Sequence, residues 1–387
     1  MDRKARSAGL RSAIVTRRFQ NLHALKRCRV RRDAMADMNR REFGRSGIAG
    51  LAGIAFGRDP ERFGDAERSG DPERSGDPER VALHAQSIDG RAYRYVHLDV
   101  FTDRRLQGNQ LFVFVQPGGL DTDAMQTMTR ESNLSENTFV FPPEQPGTDH
   151  RVRIFTRTAE TPFAGHPTIG TAFALAHTGV LKPGLSHTTF GLGVGPTNVD
   201  LEWKDGRLAF AWMTQLKPTF GKAIADSRAL AAAIGVEALD PRAPAQEVNC
   251  GSNFFIVPLT TRKAVDAAVI DRAKLDAVFS AAGVQRRGIY IFSTERGQDD
   301  ATAYSRLLGT GGTEDPGTGS AAGPAGCFMA RHGYVPPARA GAIVILQGVL
   351  VRRPSRIHVR IAMTGAEITG VKVGGAAAIV GEGTMAP

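Results

Sequence analysis

The 387 residues are 42% apolar, which is enough for two domains with a sizeable core. The net charge of +10 is concentrated in residues 1–60, which hold 15 basic and 5 acidic residues, whereas the remaining 34 basic and 34 acidic residues cancel. The basic excess therefore belongs to the N-terminal segment, and no folded nucleic-acid-binding face is predicted. No apolar run approaches the ~20 residues of a membrane span, so a membrane is not an expected partner either.

The N-terminal segment, residues 1–92, is predicted to be a basic, low-complexity extension. Within it, Met38–Phe56 joins a pair of arginines to a weakly apolar Gly/Ala run and resembles a twin-arginine export signal, which would require translation to start at Met35 or Met38. The alternative is a basic extension without an export role, because no clear Ala-x-Ala cleavage site follows. Residues 57–80 form four charged hexads rich in Pro and Gly, typical of a solvated linker. We predict a cytoplasmic protein, with export from Met38 as the alternative.

From Tyr93 onward, short apolar runs bounded by turn residues predict many strands and few helices. The predicted strands are Tyr93–Phe101, Leu111–Val115, Thr138–Phe141, Arg151–Phe155, Leu201–Lys204, Arg207–Trp212, Glu247–Cys250, Phe254–Val257, Gly288–Ser293, Ala301–Leu307, Ile343–Leu346, Arg356–Ile361, Ile368–Val373 and Ala376–Val380. The predicted helices are Asp121–Glu131, Pro167–His177, Asp226–Ala233, Arg262–Val269, Ala273–Ala281 and a segment ending near Arg331. Strands and helices do not alternate regularly, which favours an α+β fold over a doubly wound parallel sheet.

Particular residues set several of these boundaries. Asp121 and Asp226 are predicted N-caps, and Pro167 is predicted as the first residue of its helix, where a missing N–H costs nothing. Gly283 is predicted to close a helix. Asp205 and Gly206 predict a two-residue hairpin turn.

Two glycine-rich stretches, Glu160–Gly170 and Glu314–Gly323, share the frame Glu-x-Pro-x-x-Gly, and each leads into a helix. The last glycines of the frame, Gly165 and Gly319, lie 154 residues apart. This internal repeat predicts two half-domains of similar build, with the two loops facing each other across a cleft. The halves are placed at residues 93–215 and 216–387, linked through Thr214–Lys222. A return of the last strands to the first half remains open.

The start of a helix offers unpaired backbone N–H groups and the positive end of a dipole. Two such starts could hold a small anionic substrate from both sides, lined by Gly165, His166, Gly319 and Ser320. The alternative is that the glycines only allow two duplicated halves to pack closely. In the second loop, Asp315 could instead be a carboxylate that favours the helix dipole.

Glu136 is the candidate acid/base. It follows a helix and precedes an apolar strand, and a carboxylate beside apolar walls has a pKa raised toward neutrality. The alternative is a capping or solvated glutamate. Other chemistries lack their motifs: no GxGxxG fingerprint, no P-loop, no GxSxG elbow and no HExxH-type histidine spacing occur. The cysteines Cys28, Cys250 and Cys327 have no zinc or disulfide spacing. From these missing motifs, neither a metal nor a dinucleotide cofactor is predicted.

Four motifs in this order resemble the phenazine-biosynthesis PhzF-like family. They are Gly108-Asn109, Asn133–Val140, Pro162–Ala172 and Glu314–Ala322, with Pro354–Ile357 and Val373–Gly375 fitting near the end. The resemblance runs from about Tyr93 to the C-terminus. It implies a diaminopimelate-epimerase-like fold: two pseudo-symmetric α+β halves, each a barrel-like, mainly antiparallel sheet around a central helix, with the site between them.

The resemblance also implies roles for individual residues. Glu136 would be the proton shuttle, and His166 and Asp315 would position the substrate as the other two catalytic residues. Ser135, Gly165, Gly319 and Ser320 are its implied substrate-binding residues. It further implies a homodimer that works without a cofactor on a small carboxylic acid, as in the isomerisation of a dihydro-hydroxyanthranilate.

The chain departs from the family pattern in three places. Leu307–Gly312 replaces an aromatic-Ala-Pro turn, Arg352 replaces a glycine, and the first 92 residues have no counterpart. The leading hypothesis is a cofactor-independent isomerase that moves a proton within a small cyclic or unsaturated carboxylic acid. One alternative is an amino-acid epimerase or racemase of the same fold, whose two thiols would occupy the loops that here carry His166 and Asp315. The other is a non-catalytic relative that only binds small acids.

Overall fold

The computed structural model describes residues 92–285, 288–309 and 314–387. Of the predicted N-terminal extension, residues 1–91, including the export motif and the hexads, lie outside the described residues. The strands are β1 Tyr93–Val100, β2 Asn109–Val115, β3 Glu136–Phe141, β4 His150–Thr156, β5 Glu160–Thr161, β6 His187–Leu192, β7 Gly195–Lys204, β8 Arg207–Gln215, β9 Thr219–Ala223, β10 Gln246–Asn249, β11 Asn253–Pro258, β12 Ile289–Ser293, β13 Ala303–Leu308, β14 Ile343–Gln347, β15 Ser355–Thr364, β16 Glu367–Gly375 and β17 Ala377–Met385. The helices are α1 Thr122–Ser132, α2 Gly165–His177, α3 Ser227–Ala233, α4 Arg262–Ala267, α5 Arg272–Ala282 and α6 Gly319–Arg331, with a 3-10 turn at Pro337–Arg339.

The two halves repeat one pairing scheme. The first half is ordered β17-β1-β2-β3-β4-β6-β7-β8 and the second β9-β10-β11-β12-β13-β14-β15-β16. Parallel pairs occur at the same two places in each half, β2 with β3 and β4 with β6, then β11 with β12 and β13 with β14. The other ladders are antiparallel, and β8 joins the halves by pairing with β16. The predicted α+β fold of two similar halves is confirmed.

Each half wraps around one buried helix, α2 or α6. Both helices have 13 residues and are buried on nearly all sides, as expected for helices at the centre of a core. The main hydrophobic core contains residues of both halves. Each helix is followed by a glycine in the left-handed conformation, Gly179 at φ +74° and Gly333 at φ +71°, so the internal repeat includes the helix ends.

The strand that follows each closing hairpin crosses to the other half. After β7 and β8, the chain pairs β9 with β10 of the second half. After β15 and β16, it pairs β17 with β1 of the first half, from Ala377 opposite Val100 to Met385 opposite Tyr93. The outer strand of each sheet therefore follows the last hairpin of the other sheet, and these two connections hold the halves together.

Most local expectations are met. Asp121 and Asp226 cap α1 and α3, Gly283 ends α5 in the left-handed conformation, and Asp205 and Gly206 form the β7–β8 turn at φ +50° and +74°. Positive φ at both turn residues is the geometry that matches the twist of paired strands.

Two local expectations are wrong. α2 begins at Gly165 and not at Pro167, because the two preceding residues already adopt the helical conformation and proline is also tolerated later in the first turn, where N–H groups have no intrahelical acceptor. The predicted link Thr214–Lys222 shrinks to residues 216–218, since β8 extends to Gln215 and β9 starts at Thr219.

Among the described helices, none is long and apolar enough to cross a membrane.

Candidate active site

The N-termini of α2 and α6 meet where the two halves touch. A Cβ atom built on Gly165 would lie 2.4 Å from the backbone nitrogen of Ser320 and 2.5 Å from the carbonyl carbon of Gly319. A Cβ atom on Gly319 would lie 2.7 Å from the ring of Phe101. Real Cβ atoms do not approach other atoms this closely, so glycine is required for the contact. The close packing named as an alternative role for these glycines is therefore present.

Neither of these two helix starts is capped by a side chain. The N-cap residues are Ala164 and Thr318, and neither accepts a hydrogen bond from the first turn of its helix. Both helices also lack an acidic residue in the first turn. The N–H groups of Gly165, His166, Gly319 and Ser320 thus have no acceptor among the described residues, whereas the Ala321 N–H bonds the Thr318 carbonyl at 3.1 Å. Free N–H groups at the positive ends of two helix dipoles are an arrangement suited to an anion.

Beside this junction, a cleft of about 730 Å³ opens between the halves. Its lining includes Ser135 and Glu136 from the first half, and Asp315 and Ser320 from the second. Gly165, His166 and Gly319 are buried and are not among the lining residues. The further lining residues are Asn109, Gln110, Asn133, Leu134, Thr156, Arg157, Thr158, Phe254, Leu307, Glu314, Pro316, Thr318, Val351 and Arg353.

Glu136 and His166 face each other. Glu136 is the first residue of β3, His166 is the second residue of α2, and 3.9 Å separates Glu136 Oε2 from His166 Nε2. This distance exceeds a hydrogen bond. Both atoms are buried without a hydrogen-bond partner among the described residues. Two polar atoms in this condition are typical of a site that binds a polar ligand atom.

Burial is the main reason why the pKa of Glu136 is raised above its usual value. A charged His166 would oppose this rise, the negative charge of Asp315 adds to it, and the Ser135 side chain and the charge of Arg157 lower the pKa. The side chain is 21% exposed, so it remains reachable from the cleft. A carboxyl group with a raised pKa can both take and return a proton near neutral pH.

Asp315 is fixed by donors from both halves. Its Oδ1 accepts a hydrogen bond of 2.6 Å from Asn109 Nδ2, and its Oδ2 accepts one of 2.6 Å from the Thr318 hydroxyl. Gln347 Nε2 donates to the Asp315 carbonyl oxygen at 2.8 Å and to Thr318 Oγ1 at 2.9 Å. Asp315 precedes the N-cap of α6 by three residues, and the first turn of that helix holds no acidic residue. Its contacts therefore hold the loop in shape and connect it to the first half.

Ser135 and Ser320 lie on opposite sides of the cleft. The Ser135 hydroxyl donates to Asn109 Oδ1 at 3.5 Å, and Ser320 is the second residue of α6, in the place that His166 takes in α2. The repeat therefore pairs His166 with Ser320, while Asp315 has its counterpart in Thr161, outside α2.

Several residues at this site were not predicted to have a role. The sequence motifs include Asn109 but assign it no role, and no sequence pattern indicates a role for Thr318, Gln347, Arg157 or Arg353. Arg353 pairs with the buried Asp99 and donates to the carbonyl of Gly108 at 2.8 Å. Arg157 donates to Asn133 Oδ1 at 3.3 Å and forms no ion pair among the described residues. Their contacts join segments far apart in the chain, a property that local sequence patterns do not carry.

Two of the departures from the family pattern lie at or next to the cleft. Arg352 has φ +58°, so it adopts the left-handed conformation that favours the usual glycine, and it does not line the cleft, although Val351 and Arg353 do. In the departure at Leu307–Gly312, Leu307 lines the cleft, whereas residues 310–312 lie outside the described residues.

The thiols expected of a racemase are elsewhere. Cys250 and Cys327 are both fully buried in the core, with 3.8 Å between their sulfur atoms, and Cys327 lies in the middle of α6. Neither lies at a helix start. The described residues also contain no group of three or more His, Cys, Asp or Glu side chains that could hold a metal ion.

Two α+β halves with a buried carboxyl group in the cleft between them form an arrangement that suits acid–base chemistry. A model of the phenazine biosynthesis-like (PhzC-PhzF) proteins matches residues 98–383. The chain is 36% identical over 296 residues to the trans-2,3-dihydro-3-hydroxyanthranilate isomerase of Pseudomonas aeruginosa, covering 75% of this chain and 98% of that enzyme.

Solved structures of similar proteins have the same fold as this chain. A predicted epimerase from Pseudomonas aeruginosa is 31% identical with a TM-score of 0.65, covering 76% of this chain and 99% of that one. A PhzF-family protein of Bacillus anthracis, at 23% identity and a TM-score of 0.66, shares the fold over 76% of this chain and 99% of its own. The chain belongs to the PhzF family of phenazine biosynthesis-like proteins, and it is an isomerase.

Proposed function

We propose that the chain moves a proton within a small cyclic or unsaturated carboxylic acid, without a cofactor, and that Glu136 carries the proton. The observation that carries this proposal is the buried Glu136 carboxyl group, whose raised pKa and 3.9 Å separation from His166 suit it to exchange a proton with a ligand in the cleft.

The other residues have supporting roles in this proposal. When Glu136 removes a proton from one carbon, negative charge spreads into the conjugated acid. The uncapped starts of α2 and α6 stabilise that charge through Gly165, Gly319 and Ser320, because their N–H groups and dipoles are already oriented. His166, Ser135 and Asp315 position the acid so that Glu136 returns the proton at a second carbon.

The substrate is proposed from the relatives and the size of the cleft. The isomerase of Pseudomonas aeruginosa is named for trans-2,3-dihydro-3-hydroxyanthranilate, a small cyclic amino acid. A cleft of about 730 Å³, with Phe254 and Leu307 among its lining residues, has the volume and mixed polarity of a small-molecule site. We therefore propose a ring acid of this kind as the substrate class.

The proposal is tested by following proton exchange in D₂O by NMR across a panel of cyclic and unsaturated carboxylic acids, with the dihydro-hydroxyanthranilate first. We expect deuterium at a carbon of at least one acid, together with a shifted double bond. An acid that binds tightly but neither exchanges nor isomerises would instead favour the non-catalytic relative. Exchange at the α-carbon with inversion and no shifted double bond would favour the epimerase.

We propose a homodimer for the assembled enzyme. In support, an apolar patch of Leu106, Val349, Leu350 and Val351 is exposed, with Leu106 exposed at 72%. Arg353 connects its two segments by donating to the carbonyl of Gln107 at 2.8 Å. Light scattering during size-exclusion chromatography should give twice the chain mass, and Leu106→Ser should reduce it; a monomeric wild type would refute the dimer.

We propose a cytoplasmic location, supported by the weak apolar run and the missing cleavage site of the export motif. Sequencing the N-terminus of the protein from its own host tests this. A mature chain that begins after residue 56 and is recovered outside the cytoplasm would establish export instead.

A further inference from the structure

The Asn109 side chain connects the two candidate loops. It is the first residue of β2 and is 2% exposed. Its amide nitrogen lies 3.0 Å from His166 Nδ1, 2.6 Å from Asp315 Oδ1 and 2.9 Å from the Gly317 carbonyl oxygen. One buried amide therefore contacts the catalytic histidine of one half and the aspartate loop of the other.

These neighbours fix which end of the amide faces the loops. A carboxylate oxygen and a carbonyl oxygen only accept hydrogen bonds, so Asp315 and Gly317 require the nitrogen of Asn109 and not its oxygen. On the other side, the Ser135 hydroxyl donates to Asn109 Oδ1 at 3.5 Å. A flipped amide would place its oxygen against two acceptors, each within 3.0 Å, and leave them unpaired in a buried site.

The orientation of the amide decides where His166 carries its proton. An amide nitrogen carries two hydrogens and does not accept, so it can serve its three neighbours only if one of its N–H groups is shared between two of them. In that arrangement the Nδ1 atom can take part only by presenting a lone pair. A doubly protonated imidazole would place an N–H against an N–H and is disfavoured. A neutral imidazole with an unprotonated Nδ1 carries its hydrogen on Nε2. That nitrogen faces Glu136 Oε2 at 3.9 Å.

We infer that Asn109 is a positioning residue that holds His166 as the neutral Nε2–H tautomer, and that the Asp315 loop of the second half holds Asn109 in turn. His166 is therefore a hydrogen-bond donor to the ligand and not a second base. This assignment rests on the proposed function, in which Glu136 alone exchanges the proton. It also couples the tautomer to the docking of the halves, because Asn109 and Asp315 are 206 residues apart in the chain.

The inference is tested by ¹⁵N NMR of the intact protein labelled in its histidines, with no substrate present. Ring nitrogens with and without a proton have well-separated ¹⁵N shifts, and the spectrum of His166→Gln identifies which signals belong to His166. In the wild type we expect one tautomer for His166, with an unprotonated Nδ1 and a protonated Nε2 across neutral pH. A protonated Nδ1, or a charged ring at neutral pH, would overturn the inference without any variant at Asn109.

Asn109→Ala is the matching variant. We expect His166 to become a mixture of tautomers and kcat to fall by roughly 10- to 100-fold, because the donor is no longer held in place. Asn198→Ala is the control, since Asn198 is also on a strand of the first half and bonds Asp200 at 2.9 Å, away from the cleft. It should leave the His166 signals and kcat unchanged. A pure Nε2–H tautomer together with full activity in Asn109→Ala would refute the role.

This experiment and the deuterium exchange fail independently. If the wild type shows the expected tautomer but exchanges no proton with any acid, the assignment of Asn109 stands and the proposed isomerisation does not. If exchange occurs while His166 carries its proton on Nδ1, the isomerisation stands and the role of Asn109 is wrong.

Discussion

The helices of this protein begin in two different ways. α1, α3, α4 and α5 each start at a side chain that accepts a first-turn N–H, from Asp121, Asp226, Thr261 and Asp271. The central helices α2 and α6 have no such acceptor and meet each other at glycines. A cap stabilises a helix by about 1 kcal/mol. Each central helix lacks this contribution to stability, and N–H groups at its start remain free to bind a ligand. The difference separates helices that only support the fold from helices that we propose to bind substrate.

A substitution at the contact between the two central helices should have the largest effect on activity. In Gly165→Ala the added methyl group would lie 2.4 Å from the Ser320 nitrogen, so the helix starts must move apart. We expect kcat/KM to fall by about 10²-fold or more, since small displacements of catalytic groups have effects of this size. Gly179→Ala is the control at the other end of α2, at φ +74° with open space around it; it should lower the free energy of unfolding by roughly 1–2 kcal/mol and leave kcat/KM unchanged. Equal effects on kcat/KM would contradict the account.

Adding a cap to a central helix should have the next largest effect. Ala164 has φ −151° and ψ 151°, the backbone conformation of an N-cap, so Ala164→Ser supplies an oxygen that can accept from the His166 N–H. The third helical residue, Pro167, has no N–H to compete for it. We expect KM to rise about tenfold, because a charged ligand loses a donor, while thermal unfolding shows a stable or slightly stabilised protein. An unchanged KM would mean that this N–H does not contact substrate.

The charge of Arg157 should shift the pH dependence of the reaction. As a base in the free enzyme, Glu136 must be ionised, so kcat/KM falls as pH drops through its raised pKa. Arg157 lowers that pKa, and Arg157→Gln should therefore move the acidic limb of the kcat/KM profile to higher pH. Arg94→Gln removes an arginine that is 73% exposed and paired with Glu382, and its profile should match the wild type. A shift toward lower pH in Arg157→Gln would contradict the assignment.

The smallest effect on activity is expected at a capped helix. Asp121 accepts a 2.8 Å hydrogen bond from the Ala124 N–H at the start of α1. Asp121→Ala should lower the free energy of unfolding by about 1 kcal/mol, measured by denaturant titration, and leave kcat and KM as they are. A loss of activity as large as that of Ala164→Ser would show that the two kinds of helix start do not differ in function.

Local sequence signals predicted what depends on neighbours in the chain. Asp121 and Asp226 were identified as caps because such side chains bond the backbone three residues on, and Asp205-Gly206 as a turn because both residues tolerate positive φ. The sequence repeat of Gly165 and Gly319 corresponds to a structural repeat, because both glycines lie in one contact between the two central helices. The position of Pro167 predicts the start of α2 two residues too late, because proline is acceptable anywhere in a first turn and so marks its first residue poorly.

The contacts that complete the site could not be read from such signals. Asn109 acts through residues 57 and 206 positions away, and no spacing rule connects a strand start to a distant loop. Gln347 reaches Asp315 and Thr318 only because β14 lies parallel to β13 beside them. The pairing of β9 with β10 and of β17 with β1 likewise depends on which sheet edges are free in the folded protein, and a local sequence pattern does not specify these edges.

The most direct test of the account compares the wild type with Glu136→Gln during turnover in D₂O, by NMR, on an acid that the wild type isomerises. Glutamine keeps the shape of the side chain but cannot carry the proton. We predict that deuterium enters the product with the wild type and with the control Glu131→Gln, whose exposed glutamate lies in α1, while Glu136→Gln is slower by about 10²- to 10⁴-fold. Deuterium incorporation at the wild-type rate by a folded Glu136→Gln would contradict the central claim that Glu136 is the proton carrier.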